Sequence, residues 1–199
     1  LGACLAAHNS GLLEDSYLYD EQMRKAIKWF ANISTPRDPR NNNLGRLPTL
    51  GHTYANERTC AFGIMAHLWK DKDPEFAAQM QWAANQTLPP AKQIKVVDEE
   101  IPVTFETRHF ANYGVDFRHG AGTEYETMLH WFAGDCNGHG EWESDQMSYT
   151  LYAKGQPINL HFGNGYFPML CRPWLRNRVS IDHMFEISER NKTGVEAVA

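Results

Sequence analysis

Apolar positions recur at helical spacing through residues 1–90 and alternate after that. From Glu14 to Phe30, Tyr17, Met23, Ile27 and Phe30 fall at roughly helical intervals and predict a helix. Pro36 and Pro39 end it, and Arg37 to Asn43 is a polar loop. A second helix is expected over Thr59 to Trp69. A third has a marked start, with Asp73 as N-cap, Pro74 in the first helical position and Glu75 in the first turn. Its Phe76, Met80 and Ala84 share a face, and Pro89-Pro90 stops it.

Beyond Pro90, Ile94, Val96 and Val97 are β-prone, and Pro102 to Phe105 suggests a short strand. Met147 to Tyr152 alternates, with Met147, Tyr149 and Leu151 on one side. Lys154-Gly155 marks a turn, Pro157 to Phe162 a returning strand, and Arg178 to Ile187 a further alternating segment. Thr123 to Glu126 resembles a helix capping box, yet Tyr125, Thr127, Leu129 and Trp131 also alternate; the neighbouring strands favour a strand. Helices followed by antiparallel strands predict an α+β protein, with a helical portion over 1–90 and a sheet portion over 91–199.

The composition bounds this picture. The 199 residues, 42% hydrophobic and 12% aromatic, suffice for one sizeable core or one and a half small domains, and exclude collagen, coiled coil or extended disorder. No run reaches the ~18 apolar residues of a membrane span. The net charge of −5 gives no basic footprint for nucleic acid. The chain opens on Leu1-Gly2-Ala3-Cys4, without an initiator Met or a signal segment, so a mature product or a piece of something longer is expected. Cysteines 4, 60, 136 and 171 form no C-x-x-C pair, which leaves free thiols and a bridge both open. Sequons at Asn32, Asn85 and Asn191 permit export without requiring it.

Candidate chemistry concentrates late in the chain. Six of the nine histidines lie between 109 and 183, beside Trp131, Trp142 and Trp174. Aromatic faces stack on sugar C–H surfaces while polar groups bind hydroxyls, so such density suits a sugar-handling cleft. The densest stretch runs from Gly134 to Asp145, just before the predicted strand at Met147. In an extended segment its His139, Glu141, Glu143 and Asp145 would point to one face, where they repel unless a cation or a sugar-bound proton uses them. Side by side on one strand, Glu141 and Glu143 suit a metal better than the opposed acid and base of a glycoside hydrolase.

The segment Gly138 to Pro157 resembles the heparinase II/III-like polysaccharide lyases, a group that includes alginate and glycosaminoglycan lyases; its loop-and-strand pattern ends in Leu151-Tyr-Ala-Lys-Gly-Gln-Pro157. Trp174 to Asp182 is similar to a later strand of that family, and Gly45 to Thr53 to a loop near the end of its helical domain. The resemblance implies the end of an α/α toroid followed by an antiparallel β-sandwich, and a chain cut at both ends. It implies β-elimination at a uronic acid of an acidic polysaccharide or oligosaccharide, in a secreted or periplasmic protein. Tyr or His groups would move the protons, and His and Asp side chains would hold one divalent metal (Zn, Mn or Ca).

Carried over by position, the resemblance makes His139 a catalytic histidine. A competing alignment sets Glu143 in the place of the family's second histidine. Glu143 and His161, completed by Asp145 or His183, would form the metal site. Tyr54 is the candidate general acid, although family spacing places the toroid tyrosine ahead of Leu1. Glu141, Trp142, Arg172, Trp174, Arg176 and Asn177 would contact substrate. Arg176 stands where a histidine is expected; it cannot ligate a metal but can hold a carboxylate bidentately. The competing readings are a glycan-binding homologue without catalysis and, after it, a hydrolase.

Overall fold

A computed structural model describes residues 1–14, 17–48, 58–111, 113–132, 147–159 and 177. Among them are four α-helices and a five-stranded antiparallel sheet, an α+β architecture. The chain divides into two compact units, Leu1–Ser34 with Arg58–Thr104, and Thr35–Glu57 with Phe105–Ala199.

The first unit holds α1 (Gly2–Asn9), α2 (Glu21–Ile33), α3 (Ala61–Trp69) and α4 (Pro74–Thr87). α2 begins later than the apolar spacing suggests. The Asp20 carboxylate accepts the otherwise unpaired amides of Gln22 (2.7 Å) and Met23 (3.2 Å) and fixes the start there, outside which Tyr17 lies exposed. α3 buries Phe62, Met65, Ala66 and Trp69, the i, i+3, i+4, i+7 stripe of a core-facing helix. α4 starts where its sequence says: Asp73 accepts the Phe76 amide at 3.0 Å. The second oxygen of Asp73 takes Arg24 at 2.6 Å, and the Arg24 guanidinium lies 4.8 Å above the Phe76 ring.

Ile94 to Val97 form no strand despite their β propensity, because side chains of α4 take the place of a neighbouring strand. Gln81 Oε1 accepts the amides of Val96 (2.5 Å) and Val97 (2.8 Å), and Asn85 pairs with both the amide and the carbonyl of Ile94 (2.8 and 2.9 Å). Residues 101–107, including the expected strand Pro102 to Phe105, are likewise unpaired in the sheet. Replacing Asn85 by Ala strands buried backbone groups at about 1–3 kcal/mol. Hydrogen exchange at Ile94 and Val96 should quicken in Asn85→Ala and Gln81→Ala, while exchange within α3 stays slow. The same contacts consume the sequon: Asn85 is 5% exposed and Asn32 9%, with its amide on the Lys28 carbonyl, so neither is presented to a glycosylating enzyme once folded.

The second unit is a meander of β1 (Arg108–Phe110), β2 (Gly114–His119), β3 (Thr127–Phe132), β4 (Ser148–Ala153) and β5 (Gln156–Asn159), paired in chain order. The ambiguous 123–132 stretch thus supplies a strand. Lys154 and Gly155, both at positive φ (52° and 67°), make the two-residue turn between β4 and β5. Gly114 opens β2 where a Cβ would stand 2.1 Å from the Trp131 carbonyl oxygen. Gly114→Ala therefore forces β2 off β3, and we expect a loss of about 1–3 kcal/mol in urea melts.

The buried side of β4 is the reverse of the apolar alternation. Ser148, Thr150 and Tyr152 are 0–2% exposed, whereas Tyr149 and Leu151 are only half-buried. Polar partners decide this. On β2 and β3 the same registers carry Asp116 and His130, paired with each other across the strands. The Tyr152 hydroxyl meets a buried ionic cluster described below. The predicted strand Arg178 to Ile187, and Pro157 to Phe162 beyond Asn159, lie outside the described residues.

Candidate functional site

Two polar networks lie within the sheet unit. The first crosses three elements at one end of the sheet. His130, on β3, is fully buried, and its Nδ1 lies 2.5 Å from Asp116 Oδ1 on β2. A carboxylate only accepts, so the proton that joins the pair is carried by Nδ1. Tyr113, in the β1–β2 turn, places its hydroxyl 3.0 Å from that Nε2. Its ring is held edge-on by Phe132 (centroids 5.2 Å apart) and Phe110 (6.3 Å). Among the described residues, Asp116 Oδ2, Ser148 Oγ and Thr150 Oγ1 are buried without a hydrogen-bond partner. A hydroxyl, an imidazole and a carboxylate in series can move a proton along a fixed line.

The second network pins residues 35–48 to β4. Asp38, 1% exposed, takes Arg40 bidentately (3.1 and 2.8 Å), the Tyr152 hydroxyl at 3.1 Å, and Arg46 Nη2 at 3.4 Å. Arg46 also donates to the Tyr152 oxygen at 3.3 Å, and its amide and carbonyl close on Thr35. Burial pushes the Asp38 carboxyl up, but hydrogen bonds from Arg40 and the charges of Arg40 and Arg46 outweigh it and hold the group below the usual carboxylate range. The Tyr152 phenol is raised, chiefly by burial. The partner carboxylate of Asp38 raises Arg40 further.

Asn177 is the one proposed substrate contact among the described residues. Its carbonyl accepts the Tyr149 amide at 2.7 Å, which sets it beside β4. His139, Tyr54, Glu141, Trp142, Arg172, Trp174, Arg176, Glu143, His161, Asp145 and His183 lie outside the described residues. Residues 133–146, which hold His139 and the acidic run, join Phe132 to Met147, and Phe132 pairs with Ser148. Tyr113 precedes Gly114, which pairs with Phe132, so Tyr113 lies beside the end of β3.

Both networks are absent from the motif pattern. The relay leaves one trace in sequence: Asp116 and His130 each stand in the middle of an apolar strand run, where a buried polar side chain needs a partner. Asp38 and Tyr152 are 114 residues apart and leave none.

Solved structures of heparinase III share this α+β fold. One matches with TM-score 0.60 at 14% identity, covering 89% of this chain and 29% of its own. A heparinase III gene product with methylated lysines gives 0.57 at 18%, over 89% and 26%; another structure of a heparinase III gene product gives 0.52 at 17%, over 79% and 22%. No family model and no curated protein matches the sequence. The likeness to heparinase III therefore holds at the level of fold, and the chain spans 22–29% of the length of those structures.

Proposed function

We propose that this chain is part of a secreted or periplasmic polysaccharide lyase that cleaves a uronic-acid polymer, of glycosaminoglycan or alginate type, by β-elimination. The observation that carries the reading is the match to heparinase III across 79–89% of the chain. The helices would then be the end of a toroid and the meander the start of a sandwich.

The chemistry follows from the substrate. The proton beside a uronate carboxylate is weakly acidic, so its removal needs the carboxylate charge neutralised and a base in place. Arg172, Arg176 and Arg178 lie close in sequence and supply positive charge; Arg176 suits bidentate capture of the carboxylate. His139 is the proton-transfer group of the loop and Tyr54 a candidate acid; Glu141, Trp142, Trp174 and Asn177 contact the sugar. Glu143, His161, Asp145 and His183 are the donors for one divalent cation, and their imidazole and carboxylate mixture suits Zn or Mn, less so Ca. When bound, the cation would add electrostatic stabilisation beside the carboxylate. Among the described residues no group of three such donors occurs, so the proposal rests on this loop and the later segment.

The test is product formation by the longest natural form of the protein that contains this sequence. It is incubated with heparan sulfate, hyaluronan, alginate and ulvan, and the unsaturated product is followed by its near-ultraviolet absorbance. Unsaturated ends on one polymer are expected. Retained binding without product would make the protein a glycan-binding homologue, and new reducing ends without the absorbance would make it a hydrolase.

A further inference from the structure

We propose that Tyr125 and Lys154 form a glycan-binding subsite at the end of the sheet away from residues 133–146, holding a uronate-bearing sugar by its ring face and its carboxylate. The inference rests on the lyase reading for the class of glycan, but not for the existence of the subsite.

An inverted exposure carries it. Glu126 is 7% exposed, and Tyr125 beside it 64%. A charged side chain lies inside and an aromatic one in water, the reverse of what transfer from water favours. Burial alternates along this stretch, with Glu126, Met128 and His130 inside, so a slip of one residue would bury Tyr125 instead. The turn prevents that slip. Glu126 Oε1 accepts from Arg118 at 2.8 Å, Oε2 accepts the Gly122 amide at 3.1 Å, and the Glu126 carbonyl accepts the Gly155 amide at 2.9 Å. The Tyr125 amide donates to Thr123 Oγ1 at 3.2 Å, and its carbonyl accepts the Thr127 hydroxyl at 3.4 Å. A buried ion pair is a poor source of stability. A framework that uses one to keep an aromatic ring in water breaks the local rules in the way functional surfaces do.

The neighbours of the ring supply the rest. Lys154 is exposed and held at φ 52°, and Gly155 after it packs so closely that a Cβ there would lie 2.9 Å from the Glu124 carbonyl oxygen. The two turns thus make one fixed corner with an aromatic face, the Lys154 cation and the Glu124 carboxylate, all exposed. The ring stacks on the C–H side of a pyranose, Lys154 pairs with a carboxylate, and Glu124 accepts from sugar hydroxyls. The backbone is already ordered, so binding loses little entropy there. The six residues of β3, about 20 Å, separate this corner from the start of 133–146, a span of several sugar rings. The corner therefore serves affinity for long chains, remote from the bond that is cleaved.

The test uses the longest natural form of the protein that contains this sequence, with heparan sulfate, hyaluronan and alginate as probes and dextran as the neutral control. N-acetylimidazole acetylates tyrosine oxygens, and peptide mapping locates them. A bound uronate polymer should slow acetylation of Tyr125. Tyr125→Ala should weaken polymer binding about tenfold, and Tyr125→Trp should retain it. Lys154→Gln should weaken it about two- to fivefold at low salt and not at high salt. Tyr17→Ala, at a tyrosine 57% exposed in the helical unit, should bind as the parent does. All these side chains are exposed, so the thermal midpoints should hold. Short oligosaccharides that do not span the strand should show parental kcat and KM in Tyr125→Ala. Unchanged acetylation of Tyr125 under a bound polymer overturns the subsite, and so does parental affinity in Tyr125→Ala. Equal protection by dextran overturns the uronate assignment, and an equal loss on short oligosaccharides overturns the remote placement. Protection of Tyr125 in a protein that forms no unsaturated product supports the subsite and removes only the lyase reading.

Discussion

Asp38→Ala is expected to cost about 3–5 kcal/mol of folding stability, because it leaves the Arg46 guanidinium buried against a lone phenol. Arg46 is 3% exposed and Tyr152 fully buried, so water cannot restore what the carboxylate supplied. Asp38 also accepts the Arg40 amide at 2.9 Å and closes the turn over Pro39–Asn41. Denaturant melts should give the loss directly, with Tyr152→Phe costing less, about 1–3 kcal/mol, since it removes a hydroxyl and strands no charge. The pH dependence has a definite sign. Asp38 has a depressed native pKa, so its contribution is complete above the ordinary carboxylate range and is lost as pH falls through the depressed value. Tyr152 has a raised one, so its contribution is complete below the ordinary tyrosine range and is lost as pH rises through the raised value. Asp38→Asn should flatten the acid limb of the stability profile; an unchanged acid limb would remove Asp38 from this account.

That cluster shows where the sequence stops being legible. Local signals gave the α4 start, the Lys154-Gly155 turn and the β4 strand, because capping, positive φ and alternation act within a few residues. They gave the wrong inward face for β4, since Ser148 and Thr150 look like surface residues until Asp116, His130 and Tyr152 are seen on the same side. Hydrophobic alternation identifies a buried face only where the interior is apolar. The β propensity of Ile94 to Val97 failed for a related reason: two side-chain amides on α4 satisfied the backbone groups a strand partner would have used. The likeness to the heparinase fold was legible because the sequence pattern at 138–157 is local too. The relay was not, because it joins a turn to two strands.

His139→Ala is expected to remove about 10²–10⁴-fold of lyase turnover while leaving the thermal midpoint within about 0.5 kcal/mol of the parent in stability terms. The first half follows from the proposed role of His139 in proton transfer. The second follows from where its loop is attached. Residues 133–146 begin after Phe132 and end before Met147, and the strands on either side are tied by five register pairs from Phe132↔Ser148 to Met128↔Tyr152. The buried residues of those strands are Met128, His130, Ser148, Thr150 and Tyr152. The two histidines should therefore separate cleanly. His130→Gln perturbs a buried hydrogen-bonded pair and is expected to cost stability, about 1–3 kcal/mol; His139→Ala is expected to cost activity alone. Turnover and urea melts on the same two variants check this. A large stability loss in His139→Ala would make that histidine a structural group, and near-parental turnover would remove it from the mechanism.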